Sequence, residues 1–156
     1  MCKTGKNSSF AEILCKHSQK FEVMSNSDFY VATSQIEHAG RGLFANRAFR
    51  RGENMLSYRY LNGRCGNLTE SLTHEEFLLR YPDGCATHVL LCQGKYLDGK
   101  KDGTLAAKIN TKPGSQNCRF NSAGNVIATK KINSGDELYA SYGRSYNIRF
   151  DNRLQK

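Results

Sequence analysis

Apolar residues fall along this chain in short alternating runs, with one stretch of helical spacing. Phe29-Tyr30-Val31-Ala32-Thr33 is aromatic and β-branched and predicts a strand. His38 to Ala45 reads as a glycine-hinged turn entering a second short strand. Arg51-Gly52-Glu53 marks a turn, and Asn54 to Tyr60 alternates as a third strand does. Further strands are expected at His88 to Cys92, Lys95 to Leu97, Asn125 to Thr129 and Glu137 to Ser141. The clear helix is Leu72 to Tyr81. Thr73 and Glu76 have capping-box spacing, in which each side chain satisfies an orphan backbone donor at the helix start. Phe77 and Leu78 should then face inward, and Pro82 should stop the helix. Residues 1 to 27 are polar, with Phe10, Ile13 and Leu14 enough for one helical turn. Many short strands, one modest helix and glycine turns predict an α+β domain that is mostly β.

Composition narrows this picture without naming a function. At 156 residues the chain fits one domain, and 38% hydrophobic residues exclude a disordered one. No apolar run approaches the roughly 20 residues that cross a bilayer, and no secretory signal pattern opens the chain. The six cysteines, Cys2, Cys15, Cys65, Cys85, Cys92 and Cys118, form no Cys-x-x-Cys pair and no zinc-site spacing. Free, mostly buried thiols in a reducing compartment are expected, and no bound metal. The net charge of +9 attracts anions. Yet the basic residues come only as doublets such as Arg50-Arg51, Lys100-Lys101 and Lys130-Lys131, with no recognition helix or ribonucleoprotein motif. The charge therefore supports non-specific DNA contact and no more.

Three segments carry candidate chemistry. In Gly40-Arg41-Gly42-Leu43-Phe44-Ala45, followed by Gly52-Glu53, paired glycines let backbone approach a ligand with no Cβ in the way. In Ile109 to Cys118, Asn110 and Asn117 bracket a Pro113-Gly114 loop, and such amides can fix a loop or receive a polar ligand. In Lys131 to Gly143, a turn and a short strand lead to Tyr142 before a glycine. Each alone reads equally as a plain turn, a structured loop and a packing aromatic.

Taken in this order, the three resemble the SET-domain family of protein lysine methyltransferases. Gly40 to Ala45 with Gly52-Glu53 is similar to the family's first cofactor motif. Tyr58 falls where the family has a strand-end active-site tyrosine. Asn110 matches the asparagine of the Asn-His motif, Asn117-Cys118 the Asn-Cys that closes that segment, and Gly135 to Gly143 the motif ending in the catalytic tyrosine. Departures accompany the match: Thr111 stands in place of histidine, Ala107 of arginine, Tyr60 of glycine and Ser141 of aspartate. The Asn110 to Asn117 spacing is one residue longer than usual. No cysteine-rich zinc segment precedes or follows, so the chain looks like the family's minimal, stand-alone members, and Cys118 should be an unliganded thiol.

The resemblance implies a SET-like fold of several small sheets with a knot-like C-terminal segment and few short helices, over residues 28–146. Residues 1–27 would be an N-terminal extension and 147–156 a tail. It implies transfer of a methyl group from S-adenosylmethionine to a lysine side chain, of a histone or of another protein, with a catalytically silent binding module as the alternative. Arg41, Gly42, Leu43, Phe44, Asn110, Thr111, Tyr142 and Tyr146 would hold the cofactor, Tyr142 would be catalytic, and Tyr58 would line the lysine channel. Tyr146 or Phe150 would stand in for the zinc segment by packing over the cofactor. The acids Glu75, Glu76, Asp83, Asp98 and Asp102 would line a substrate groove. Ala140, two residues before Tyr142, is small, so the pocket should tolerate higher methylation unless Tyr58, Tyr60 or Tyr139 fills it. An intracellular location follows, nuclear for a histone substrate. Oligomeric state stays open.

Overall fold

Turn residues cut this chain into strands of three to five residues, too short to build one large sheet. In the computed structural model, which describes residues 27–60, 68–84, 86, 88–99 and 103–142, they form three small antiparallel sheets. Strand β1 (Phe29–Thr33) pairs with β2 (Arg41–Ala45). Strand β3 (Asn54–Ser57), β4 (Glu70–Leu72), helix α1 (His74–Arg80), β5 (Val89–Cys92) and β6 (Lys95–Asp98) follow. A 3-10 helix (Leu105–Lys108), β7 (Cys118–Phe120) and β8 (Asn125–Ala128) complete the order. The second sheet has the order β3-β8-β7 and the third β4-β6-β5. This is the mostly-β, α+β architecture that the pattern predicts.

The core lies between the first two sheets. Phe29 stacks on Phe49 with ring centroids 5.1 Å apart, and Leu43, Met55, Ile109 and Leu138 are fully buried with them. α1 closes the third sheet from one side. Thr73 and Glu76 form the expected capping box, and Phe77 stacks on Tyr96 of β6 at 4.2 Å. Thr73→Ala should remove one cap acceptor and cost about 1 kcal/mol. Denaturant unfolding should show that loss, and amide exchange should place it in residues 74–80.

Four local expectations change. Leu72 belongs to β4, since the cap at Thr73 starts the helix at His74. Leu78 does not face inward. It is 42% exposed, because a seven-residue helix turned with Phe77 toward the sheet rotates its next residue about 100° away. The strand expected to reach Tyr60 ends at Ser57, where Tyr58 and Arg59 turn. Glu137 to Ser141 makes single bridges rather than a regular strand, as its backbone divides between different neighbours.

That division gives the C-terminal segment its threaded position. On one side Ala45 N–H donates to Asp136 O and Leu138 N–H to Leu43 O. On the other, Ala140 N–H donates to Asn110 O, while Asn117 and Cys118 N–H both reach Tyr139 O. Residues 136–140 are thus held between β2 and the segment from Asn110 to Cys118. Of the expected extension 1–27, only Ser27 is described. The tail 147–156 and the helical turn at Phe10, Ile13 and Leu14 lie outside the described residues.

Candidate active site

The three segments singled out in sequence meet at one buried carboxylate. The Gly135 turn, with Asp136 Oδ2 accepting from Asn133 N–H, delivers Glu137 into the interior, where it is 2% exposed. Its Oε1 accepts from Ser34 Oγ at 2.7 Å and Asn110 Nδ2 at 3.1 Å. Its Oε2 accepts from Gln35 N–H at 2.7 Å and the Tyr139 hydroxyl at 2.8 Å. Burial opposes ionisation, but these four donors outweigh it and hold the carboxyl below its ordinary pKa. The same pairing, after burial, pushes the Tyr139 phenol up to about 12. Asn117 extends the network: its Nδ2 donates to Glu137 O and its Oδ1 accepts from Tyr139 N–H.

The two glycines of the first segment serve different physical ends. Gly40 has φ +72 and open space where a Cβ would be, so conformation selects it. Gly42 is selected by space, and the group that approaches it is the Glu137 carboxylate: a Cβ there would overlap Oε1. Leu43 and Phe44 are buried, and Leu43 O already accepts from Leu138 N–H. Arg41 is exposed, with its guanidinium on Val31 O at 3.0 Å and its own carbonyl accepting from Asn110 Nδ2 at 3.2 Å. The Asn110 amide therefore ties the first segment to Glu137. Thr111 follows it, partly exposed. Beyond Asn110 and Arg41, the loop from Ile36 to Gly40 presents mostly exposed backbone, with His38 also at positive φ. Burial and the nearby Arg41 charge together lower the pKa of Lys108.

Both tyrosine hydroxyls are anchored to backbone carbonyls. Tyr58 is 4% exposed, edge-on to Phe120, and donates to His88 O at 2.6 Å. Tyr142 donates to Ile109 O. These contacts converge on one short segment. Ile109 holds Tyr142, and two residues earlier Ala107 packs beside Gly99, which borders the Tyr58 hydroxyl. Because each phenol has one proton and has spent it, each can meet a substrate only as an acceptor.

Sequence reading placed Asn110, Gly42 and the Glu137 motif in one site, and the structure joins them. It gave no role to Glu137, Ser34, His88 or Lys108. Glu137 had a signal: it stands in an alternating run whose even partner, Tyr139, is also buried. Ser34 and His88 had none, since only tertiary contact brings them in. Asp98 is not a groove residue. It is 1% exposed and accepts from Arg80 at 3.0 Å and Tyr81 at 2.8 Å. Glu76 is occupied with the cap. Tyr146, Phe150 and Asp102 lie outside the described residues. Cys92 and Cys118 are free buried thiols, and burial pushes the Cys118 thiol up to about 12. Among the described residues, no His/Cys/Asp/Glu group could hold a metal, and no helix is long and apolar enough to cross a membrane.

A family model for the SET domain matches residues 40–143. Among solved structures, a chain of ctPRC2 in an autoinhibited conformation bound to S-adenosylmethionine is 21% identical, covering 80% of this chain and 16% of its own at a TM-score of 0.55. A chain from the polycomb repressive complex 2 of Chaetomium thermophilum is 23% identical, covering 73% of this chain and 15% of its own at 0.57. A humanized mutant of that complex bound to an inhibitor is 22% identical, covering 86% of this chain and 17% of its own, also at 0.57. The chain spans about a sixth of the length of these chains, and the likeness is one of fold. No curated protein sequence matches it.

Proposed function

Because this chain belongs to the SET-domain family, we propose that it is a protein-lysine N-methyltransferase, with a histone tail as the first candidate acceptor. The methyl donor of the family is S-adenosylmethionine. The observation that carries the reading is the pair of phenols, Tyr58 on His88 O and Tyr142 on Ile109 O, converging on residues 107–109 beside the Glu137 network.

The residues fit that donor. Its amino-acid end bears a carboxylate, and Arg41 and Lys108 are two cations close enough for one to disfavour the other's charge. An anion between them would relieve that repulsion. Arg41, the exposed backbone before it, Asn110 and Thr111 would hold the group. Leu43 and Phe44 contribute through β2, which Glu137 and residues 136–138 hold in place. When bound, the cofactor supplies an electrophilic methyl on a sulfonium.

The chain's own residues must present a neutral amine. A free lysine has a pKa near 10.4, and burial in an apolar channel lowers it. A primary amine has two N–H groups and one lone pair. Tyr58 and Tyr142, both limited to accepting, would take the two N–H groups and leave the lone pair aimed at the methyl. That positioning supplies much of the rate. The products are a methylated lysine, the demethylated cofactor and one proton released to solvent.

A histone substrate finds support in the fold shared with polycomb repressive complex chains. The charge of +9 gives no long-range attraction to a basic tail, so recognition would rest on local contacts. The test is labelled S-adenosylmethionine with core histones, nucleosomes and a cell lysate. Label on lysine of a histone band supports the proposal in full. Label on other bands alone moves the substrate away from histones. Bound cofactor with no label anywhere makes the chain a silent binding module.

A further inference from the structure

We propose that Gly99 and Thr104, outside every motif recognised in the sequence, are positioning residues that set where the Tyr58 hydroxyl stands and so how many methyl groups the site accepts. The inference rests on the reading above, in which Tyr58 lines the lysine channel.

Gly99 is a buried glycine chosen for space. A Cβ there would lie 2.5 Å from Thr104 Cγ2, 3.1 Å from Ala107 Cβ and 3.1 Å from the Tyr58 hydroxyl. Its conformation does not demand glycine, since its φ is not positive. His88 O accepts from both the Tyr58 hydroxyl at 2.6 Å and Gly99 N–H at 2.8 Å, so the phenol is seated on the backbone that Gly99 belongs to. Thr104 completes the seat. It is fully buried, and its Oγ1 donates to Tyr60 O at 2.8 Å, which fastens the turn after Tyr58 to the same wall.

Other candidates for limiting the pocket are otherwise engaged. Ala140 is small and buried. Tyr139 is held by its hydroxyl on Glu137. Ala107 presents only a methyl group. The room left for an alkylated amine thus depends on how far the Tyr58 hydroxyl sits back against His88 and Gly99. A methyl group added at residue 99 would push the hydroxyl off this wall and into the channel.

The experiment compares kcat/KM for a monomethyl-lysine peptide with that for the unmodified peptide. Thr104→Ser removes the nearest clashing methyl but keeps the hydroxyl bond to Tyr60, so T104S is the background in which Gly99→Ala is tolerated. Moving from T104S to G99A/T104S should lower the monomethyl-to-unmodified ratio about 10-fold, the scale on which a pocket discriminates one carbon. S-adenosylmethionine binding should stay within about 3-fold. Adding Tyr58→Phe, which deletes the obstructing oxygen, should restore the ratio. A merely structural role would change rate or stability but leave the ratio and its rescue unmoved. An unchanged ratio in an active protein, or one not rescued by Y58F, overturns this inference alone. A wild type that methylates no lysine overturns the function itself, and the inference with it.

Discussion

Gly42→Ala should lower the melting temperature by about 10 °C and weaken S-adenosylmethionine binding more than any other single-methyl change in the chain. The added Cβ would overlap Glu137 Oε1, which is 2% exposed and has nowhere to retreat. Either β2 shifts or the carboxylate gives up Ser34 and Asn110. Overpacking costs about 1–3 kcal/mol, and unmade buried hydrogen bonds add about 1 kcal/mol or more each. For a domain of this size, about 3 kcal/mol corresponds to roughly 10 °C. Glu137→Gln tests the same network from the other side. A carboxylate offers only acceptors to its four donors, whereas an amide turns one end into a donor facing donors.

Acid separates the two variants. The folded-state pKa of Glu137 is depressed below the 4.5 of the free group. Its contribution is therefore complete above about 4.5 and is lost as pH falls through the lower folded value. The gap in melting temperature between wild type and E137Q should be widest near neutral pH and narrow below about pH 4.5. A gap that stays constant down to pH 3 would show that the Glu137 charge does not stabilise the fold. G42A, which keeps the carboxyl, should retain an acid dependence that E137Q lacks.

Tyr142→Phe should reduce methyl transfer by about 100-fold or more while S-adenosylmethionine binding stays within a few-fold. Deleting one preorganised polar group at a reacting centre typically has that size of effect. The hydroxyl donates to Ile109 O, so it faces the site as an acceptor for the amine and for the polarised methyl. Its loss leaves the fold otherwise supported, since the neighbouring Ala140 and Tyr139 are tied to Asn110 and Asn117 through their backbones. Single-turnover kinetics with prebound cofactor reads the chemical step directly. Undiminished turnover would remove Tyr142 from the mechanism.

Much of this molecule is local, and local features were legible in the sequence. The Thr73–Glu76 cap, the alternation in Phe29–Thr33 and Val89–Cys92, and the glycine at 40 act through neighbours a few residues away, so sequence alone determined them. The order of the three motifs determined the family as well, because their residue types and spacings are linear information. β4 and β7 escaped notice, since three residues carry too little periodicity to announce a strand; the register with β6 and β8 forms them.

What only the tertiary structure decided is what spans long separations. Glu137 meets Ser34 103 residues away, and Asn110 meets Ser34 across 76. The reason for Gly42 is therefore an acid nearly a hundred positions downstream, where sequence reading had seen only room for a ligand. The seat of Tyr58 on His88, Gly99 and Thr104 is likewise assembled from three loops. Hydrogen-bond geometry and excluded volume depend on distance in space, and a linear pattern records that distance only where chain connectivity enforces it.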